Sequence, residues 1–451
     1  MNEPYRIGAG MAQIVVTPDM FPYGFGRGPG FTGIHDELYV RALLLERGET
    51  RVLLITVDLD SFGHIDEWKQ KIQSVIHVPE DGIFVMHTHN HESIHVRNDK
   101  DDAPEGDADT ARSEALTWAA MVQAIRQAEE RLQPGKIRYG TGLCDVNINR
   151  EYCYEGYYMI GRSPQGPSDK TVAVLTFTDL EDRPLAFFIN YAVHGSVMAD
   201  VRGEDGNPII TGDLPGYTSR FVEAHYPGAV ALWTSGAAGN QDAKYRATRQ
   251  FLDAEGALRN YSVGAGGWAL LDMQSRDLAE EVIRVADAGA ENEELTGLSS
   301  VQTALTVPGK MKAGQGGPHG GHRPKGEPGG PGGPEGPGGV PCEGKMMKDI
   351  DINHADGDPV TVHVGLLALG NTALVCYSGE ATYELGKQVQ AALGERFEHV
   401  VVVTHCNGYI GYMSQEEGFD RRTRSALVSL LARGQAERVV VDTPLALAEG
   451  L

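Results

Sequence analysis

Hydrophobic positions along this chain follow two periods. Continuous apolar runs between polar or turn residues predict buried strands at Arg51–Val57, Gly82–Met86, 172–178, 186–192, 229–234, 361–368, 372–377 and 399–404. Between them, apolar residues recurring every three or four positions predict helices over about 65–77, 111–132, 214–226, 267–289, 382–394 and 424–433. Residues 7–60 read as strands and turns, interrupted by Thr17-Pro18-Asp19 and by the Gly/Pro-rich stretch from Pro22 to Gly30. Strands and helices interleave throughout. That order predicts an α/β fold with a layered mixed β-sheet core and flanking helices, in a single domain over 1–451.

Residues 312–344 follow neither period. Gly and Pro dominate the tract, and it has almost no apolar side chains to offset the entropy of ordering it, so a mobile surface insertion is expected there. Its His319 and His322 read as solvent-exposed linker residues.

Composition narrows the class of function. A formal charge of -23 argues against nucleic-acid binding, which needs clustered Lys and Arg, and against docking on anionic membranes. No apolar run approaches the roughly 20 residues that span a bilayer, so no stable membrane anchor is expected. The first residues, Met1 to Arg6, lack the basic start and apolar core of a signal peptide. The five cysteines have no metal-site spacing and read as reduced thiols. Together these features lead us to expect a cytoplasmic protein.

The chemistry concentrates at predicted strand ends. His87, His89 and His91 follow the apolar run Gly82–Met86 at alternate positions, and in extended backbone they would share one face, an ordinary way to hold a metal. Asp58 and Asp60 follow another buried strand, as site residues or helix caps. Asn190–Ser196, Thr211–Gly216, Gly236–Asp242 and Tyr377–Glu380 likewise place polar residues after apolar runs. Each could be only a turn, a cap or a packed histidine. Several together are how α/β enzymes assemble a site.

In this order the segments resemble the N-terminal catalytic domain of the neutral/alkaline non-lysosomal ceramidase family. The matching pieces are Gly33-Ile34-His35-Asp36 through Arg41-Ala42, His87-Thr88-His89, Asn147–Arg150, Ala192-Val193-His194, Gly212–Tyr217, Ala238-Gly239-Asn240, Gly379-Glu380 and Asn407–Tyr412. The resemblance implies one zinc ion held by His87, His194, Glu380 and Tyr412, activating water for attack on an amide carbonyl. It further implies that His89 assists proton transfer or binds the oxyanion, and that Arg150 stabilises developing negative charge. For Tyr412, a hydroxyl that only hydrogen-bonds the site is the alternative.

The departures from the family bear on substrate. Asp242 stands where the family has a serine that contacts substrate, and could bind a second cation, act as a base or engage a cationic group. Asn90-His91-Glu92-Ser93 replaces the family's Ser-Gly-Pro-Gly, Arg424 replaces a second tyrosine, and a chain without the family's C-terminal sandwich domain is expected. No long apolar segment offers a lining for lipid chains. The expectation is therefore a zinc-dependent hydrolase that cleaves the amide bond of a small polar substrate, with Asp242 among its catalytic residues and a second metal position possible near His91 and Asp242. Neutral ceramidase activity, an ester or lactone hydrolase, and a non-catalytic metal-binding homologue are the alternatives.

Overall fold

The computed structural model describes residues 4–23, 30–99, 108–154, 156–199, 201, 208–252, 258–310 and 352–451. The Gly/Pro tract expected at 312–344 lies outside the described residues.

Eight long strands form the larger sheet: β1 (Tyr5–Ile14), β2 (Leu38–Arg47), β3 (Thr50–Val57), β4 (Ile83–His87), β5 (Gln133–Leu143), β6 (Thr171–Asp179), β7 (Pro184–Tyr191) and β8 (Val230–Ser235). Their spatial order is β8-β7-β6-β5-β1-β2-β3-β4, with a short strand at Glu293–Glu294 paired to β5. A second sheet orders β9 (Ser299–Gly309), β10 (Gly357–Leu369), β11 (Thr372–Tyr377) and β12 (His399–Val403) side by side. The longer helices are α1 (Ile65–Gln73), α2 (Ala108–Glu130), α3 (Asp213–His225), α4 (Gly267–Asp287) and α5 (Tyr383–Leu393). Most pairings are antiparallel. Within these two sheets the exceptions, β3 with β4, β7 with β8 and β11 with β12, are parallel.

Side-chain alternation explains why the two sheets stack. On β2, Ala42 and Leu44 face Trp68 and Ile72 of α1 and Met121 and Ile125 of α2. Their neighbours Leu43 and Leu45 face the other way and join Leu54, Phe84 and Phe188 against Leu367, Leu374 and Val401 of the second sheet. Farther along the larger sheet, Val174, Ile189 and Trp233 pack on Leu214, Leu271, Leu278 and Val282 of α3 and α4. The outer face of the second sheet, through Val362, Val364 and Val375, is covered by Leu385, Val389 and Leu393 of α5. The result is four layers: helices, sheet, sheet, helix. Fully burying each Leu, Val or Phe in these interfaces contributes about 1.5–3 kcal/mol. Gly8 and Gly10 let α2 lie close on β1, since a Cβ at either would come within 2.0 and 2.3 Å of the carbonyl oxygens of Ala128 and Ala124.

Three expectations need correction. The helix expected over 424–433 stops at Val428, because the following residues pair with the end of β9, Lys310 donating its amide to Leu430. The helix expected over 65–77 ends at Gln73. The strand carrying the histidines pairs only as far as His87, and His89 has φ 54, a left-handed conformation. The side chains two apart therefore do not continue along one face of a strand.

Candidate metal centre

The carboxyl ends of the three parallel strand pairs in the two main sheets converge. β3 runs into Asp58 and Asp60, and β4 into His87, His89 and His91. β7 leads to His194, β8 to Gly239–Asp242, β11 to Glu380, and β12 to His405. The segment after β12 ties the ends together. Thr404 donates its amide to Ser235 at the end of β8, and Asn407 donates its amide to Val85 on β4. His405 returns a carbonyl to the amide of His87 at 3.0 Å. Glu380 and Tyr412 are set side by side as partners in a short parallel pairing of Glu380–Ala381 with Tyr412–Met413.

Glu380 is completely buried and lies at the middle of the cluster. Its Oε2 is 2.9 Å from His194 Nε2 and 3.8 Å from Arg150 Nη2. Its Oε1 accepts the Tyr409 hydroxyl at 2.6 Å and lies 3.6 Å from His89 Nε2. Burial works against its charge, but the imidazoles of His89, His194 and His405 hold its pKa well below the usual carboxylate range.

The two nearest imidazoles are oriented alike. His194 Nδ1 is 2.8 Å from the carbonyl of Gln241, and His89 Nδ1 is 2.8 Å from the carbonyl of Asp60. A carbonyl only accepts, so each ring carries a hydrogen on Nδ1 and turns Nε2 towards Glu380. Burial, and then the Arg150 charge, push the His194 pKa down to about 4, which keeps that ring neutral. Two Nε2 atoms and a carboxylate thus face one another. Arg150 Nη2 offers only two hydrogens to three acceptors: His194 Nε2 at 2.9 Å, Tyr412 Oη at 2.8 Å and the Gly239 carbonyl at 3.0 Å. His89 Nε2 is buried with no hydrogen-bond partner among the described residues. Acceptors that converge without enough donors fit a cation, and two imidazoles, each held by a backbone carbonyl, with a carboxylate form a nitrogen and oxygen set suited to zinc.

The other expected site residues fall around this group. His87 is fully buried behind His89, with ring centroids 5.8 Å apart, and faces His405 and Tyr409 at 4.8 and 5.5 Å. His91 is on the open side, its side chain 36% exposed, 4.7 Å from the His89 ring, with Nδ1 3.8 Å from the Asp60 carboxylate. Tyr412 lies between two guanidiniums, those of Arg150 and Arg424, at 5.6 and 5.5 Å from its ring. Asp242 is engaged elsewhere. It pairs with Arg246 at 3.0 Å, accepts from the Ser196 hydroxyl and the Ala243 amide, and is 3.9 Å from Arg150. Although burial opposes its charge, Arg246 and Arg150 keep its pKa low. Asp58 is likewise committed, to buried Arg41 at 3.0 Å.

Two residues of the cluster, His405 and Tyr409, were not anticipated. Tyr409 lies inside the quoted Asn407–Tyr412 stretch, and His405 follows an apolar run as the other candidates do. That position was the available signal.

Comparison with known proteins agrees with the fold. The sequence model described as neutral/alkaline non-lysosomal ceramidase, N-terminal, matches residues 5–241, and the chain belongs to this family. The neutral ceramidase of Drosophila melanogaster is 27% identical over 255 residues, covering 50% of this chain and 33% of that protein. That of Drosophila pseudoobscura pseudoobscura is 27% identical over 251 residues, covering 49% and 32%. The match therefore spans about a third of the length of these curated relatives. The crystal structure of neutral ceramidase from Pseudomonas aeruginosa superposes with a TM-score of 0.72 at 19% identity, covering 100% of this chain and 75% of the other. A ceramidase complexed with C2 gives 0.70 at 18%, with 100% and 76% covered. The α/β fold is that of these structures.

Proposed function

We propose that this chain is a metal-dependent hydrolase that cleaves an amide bond, with His89, His194 and Glu380 holding zinc and Tyr412 beside them. The observation that carries this is the convergence of two Nε2 atoms, each opposite a ring nitrogen held by a backbone carbonyl, on a buried carboxylate. When bound, zinc lowers the pKa of water towards neutrality and polarises a carbonyl oxygen. The protein's own residues supply the rest. The carbonyls of Asp60 and Gln241 fix the two imidazoles, and Tyr409 fixes Glu380. Arg150, held between Tyr412 and the Gly239 carbonyl, presents a fixed positive charge for an oxyanion. His91, on the open side and near Asp60, is positioned to pass a proton between the reacting groups and solvent. This moves the roles expected for His87 and His89 two residues along the chain: the ligand position goes to His89 and proton handling to His91. Asp242 serves to hold Arg246 and Arg150 rather than to act as a base or bind a second ion.

For the substrate, we favour a small polar amide. Arg150 and Arg424, both almost fully buried against Tyr412, make this side of the centre strongly polar. Ceramide is the second reading, favoured by the family to which the chain belongs. Among the described residues no helix is long and apolar enough to cross a membrane, which does not decide between them.

The test is hydrolysis of a panel of N-acyl amides, including ceramide, by the purified chain with and without a chelator. Metal content should fall in His89→Ala and His194→Ala, while His91→Ala should keep its metal and lose rate by about 10²–10⁴-fold. Metal retained in full by His89→Ala would overturn the ligand assignment.

A further inference from the structure

Once His89, His194 and Glu380 are assigned to one ion, two histidines at the heart of the molecule remain without a role. His87 and His405 are each completely buried. Among the described residues, neither ring nitrogen of His405 has a hydrogen-bond partner, and the His87 ring lies beside the backbone carbonyls of Asp60 and Gly408 without a well-aligned hydrogen bond to either. A neutral imidazole has one N–H to donate and one lone pair to offer, so the two rings bury poorly met polar groups in one place. Packing alone gives no reason for this, since apolar side chains would fill the same space without that cost.

The rings are also arranged together. His87 and His405 have centroids 4.8 Å apart, and His405 stacks on His89 at 4.1 Å. One nitrogen from each of His87 and His405 can be chosen so that the two lie within 4.8 Å of one another and of a ring nitrogen of His89, the residue that ties this pair to the first ion. His405 takes a left-handed backbone conformation, φ 60, a placement that L-residues adopt reluctantly. The carboxylate of Glu380 acts electrostatically on both rings.

We propose that His87 and His405 hold a second divalent transition-metal ion, adjacent to the first and sharing the negative charge of Glu380. Imidazole nitrogens select zinc, cobalt, nickel or copper over magnesium or calcium. Paired ions of this kind can stabilise both the attacking and the leaving atoms of a hydrolysis. The proposal rests on the reading of Glu380 as a ligand to the first ion.

The full chain, stripped with a chelator and reconstituted with Zn²⁺, should contain two equivalents by elemental analysis. His405→Leu, which keeps an apolar filling, and His87→Ala should each contain one. In unaltered protein, Co²⁺ titrated against its visible absorbance should saturate at two equivalents, with magnetic coupling between the ions. This arm does not depend on any variant folding. Saturation at one equivalent that survives His405→Leu overturns the second position and leaves the hydrolase reading standing. Saturation at one equivalent that is lost in His405→Leu also overturns it, because His405 would then belong to a single site. No bound metal at all would sink both readings.

Discussion

Tyr409→Phe removes one oxygen atom from the molecule and gives a sharp test of how the centre is held. The hydroxyl donates to Glu380 Oε1 at 2.6 Å in a fully buried setting. The phenyl ring that remains keeps its edge contact with His87 and its tilted contact with His89, both at 5.5 Å between centroids. A hydrogen bond to a charged group contributes about 1.5–3 kcal/mol. Loss of a partner that orients a metal-binding carboxylate typically weakens metal affinity by about 10–100-fold, or about 1.4–2.7 kcal/mol. The two routes to the magnitude agree, because the same hydrogen bond is counted in each. Tyr409→Phe is therefore expected to bind Zn²⁺ about 10–100-fold more weakly than wild type, measured by competition with a chromophoric chelator. Its circular dichroism should be unchanged. Affinity within twofold of wild type in a folded variant would show that Glu380 does not depend on this hydroxyl, and the account of the centre would need another anchor.

Other perturbations probe separate parts of the structure. Chelation should abolish amide hydrolysis and lower the thermal midpoint, and added Zn²⁺ should restore both; activity that persists in metal-free protein contradicts the proposed mechanism. Arg150→Lys keeps a charge but loses the planar fork that reaches Tyr412 and Gly239, so kcat should fall by about 10²–10³-fold while metal content stays constant. Arg41→Met should destabilise the fold by about 3–5 kcal/mol in urea, because it strands the carboxylates of Asp58 and Glu223 that now pair with Arg41 at 3.0 and 2.7 Å. A loss below 1 kcal/mol would mean that these carboxylates find other partners or protonate at small cost.

The layered fold was legible because its strands are continuous apolar runs: the expected 372–377 coincides with β11, and 186–192 and 229–234 fall within one or two residues of β7 and β8. β5 was not legible. Lys136, Arg138, Gly140 and Gly142 interrupt its apolar positions, and the glycines are there because α4 and Asn292 crowd that face. β9 was also missed, since only one of its faces is covered and Ser, Thr and Gln occupy much of the strand. Within the centre, His194, Glu380 and Arg150 could be read from short motifs and do come together. The histidine segment could not be read as securely. His87-Thr88-His89-Asn90-His91 contains the His-X-His spacing twice, and only the left-handed turn at His89 distinguishes the two registers. His405 and Tyr409 take their places because the chain after β12 crosses between β4 and β8. No local pattern encodes that crossing.

The central claim is where the metal sits, and anomalous diffraction from crystals of the zinc-loaded protein, recorded on both sides of the zinc edge, tests it most directly. The account predicts a strong anomalous peak within bonding reach of His89 Nε2, His194 Nε2 and the Glu380 carboxylate. A fully loaded crystal with no peak there, or with its principal peak beside Asp242, would contradict it.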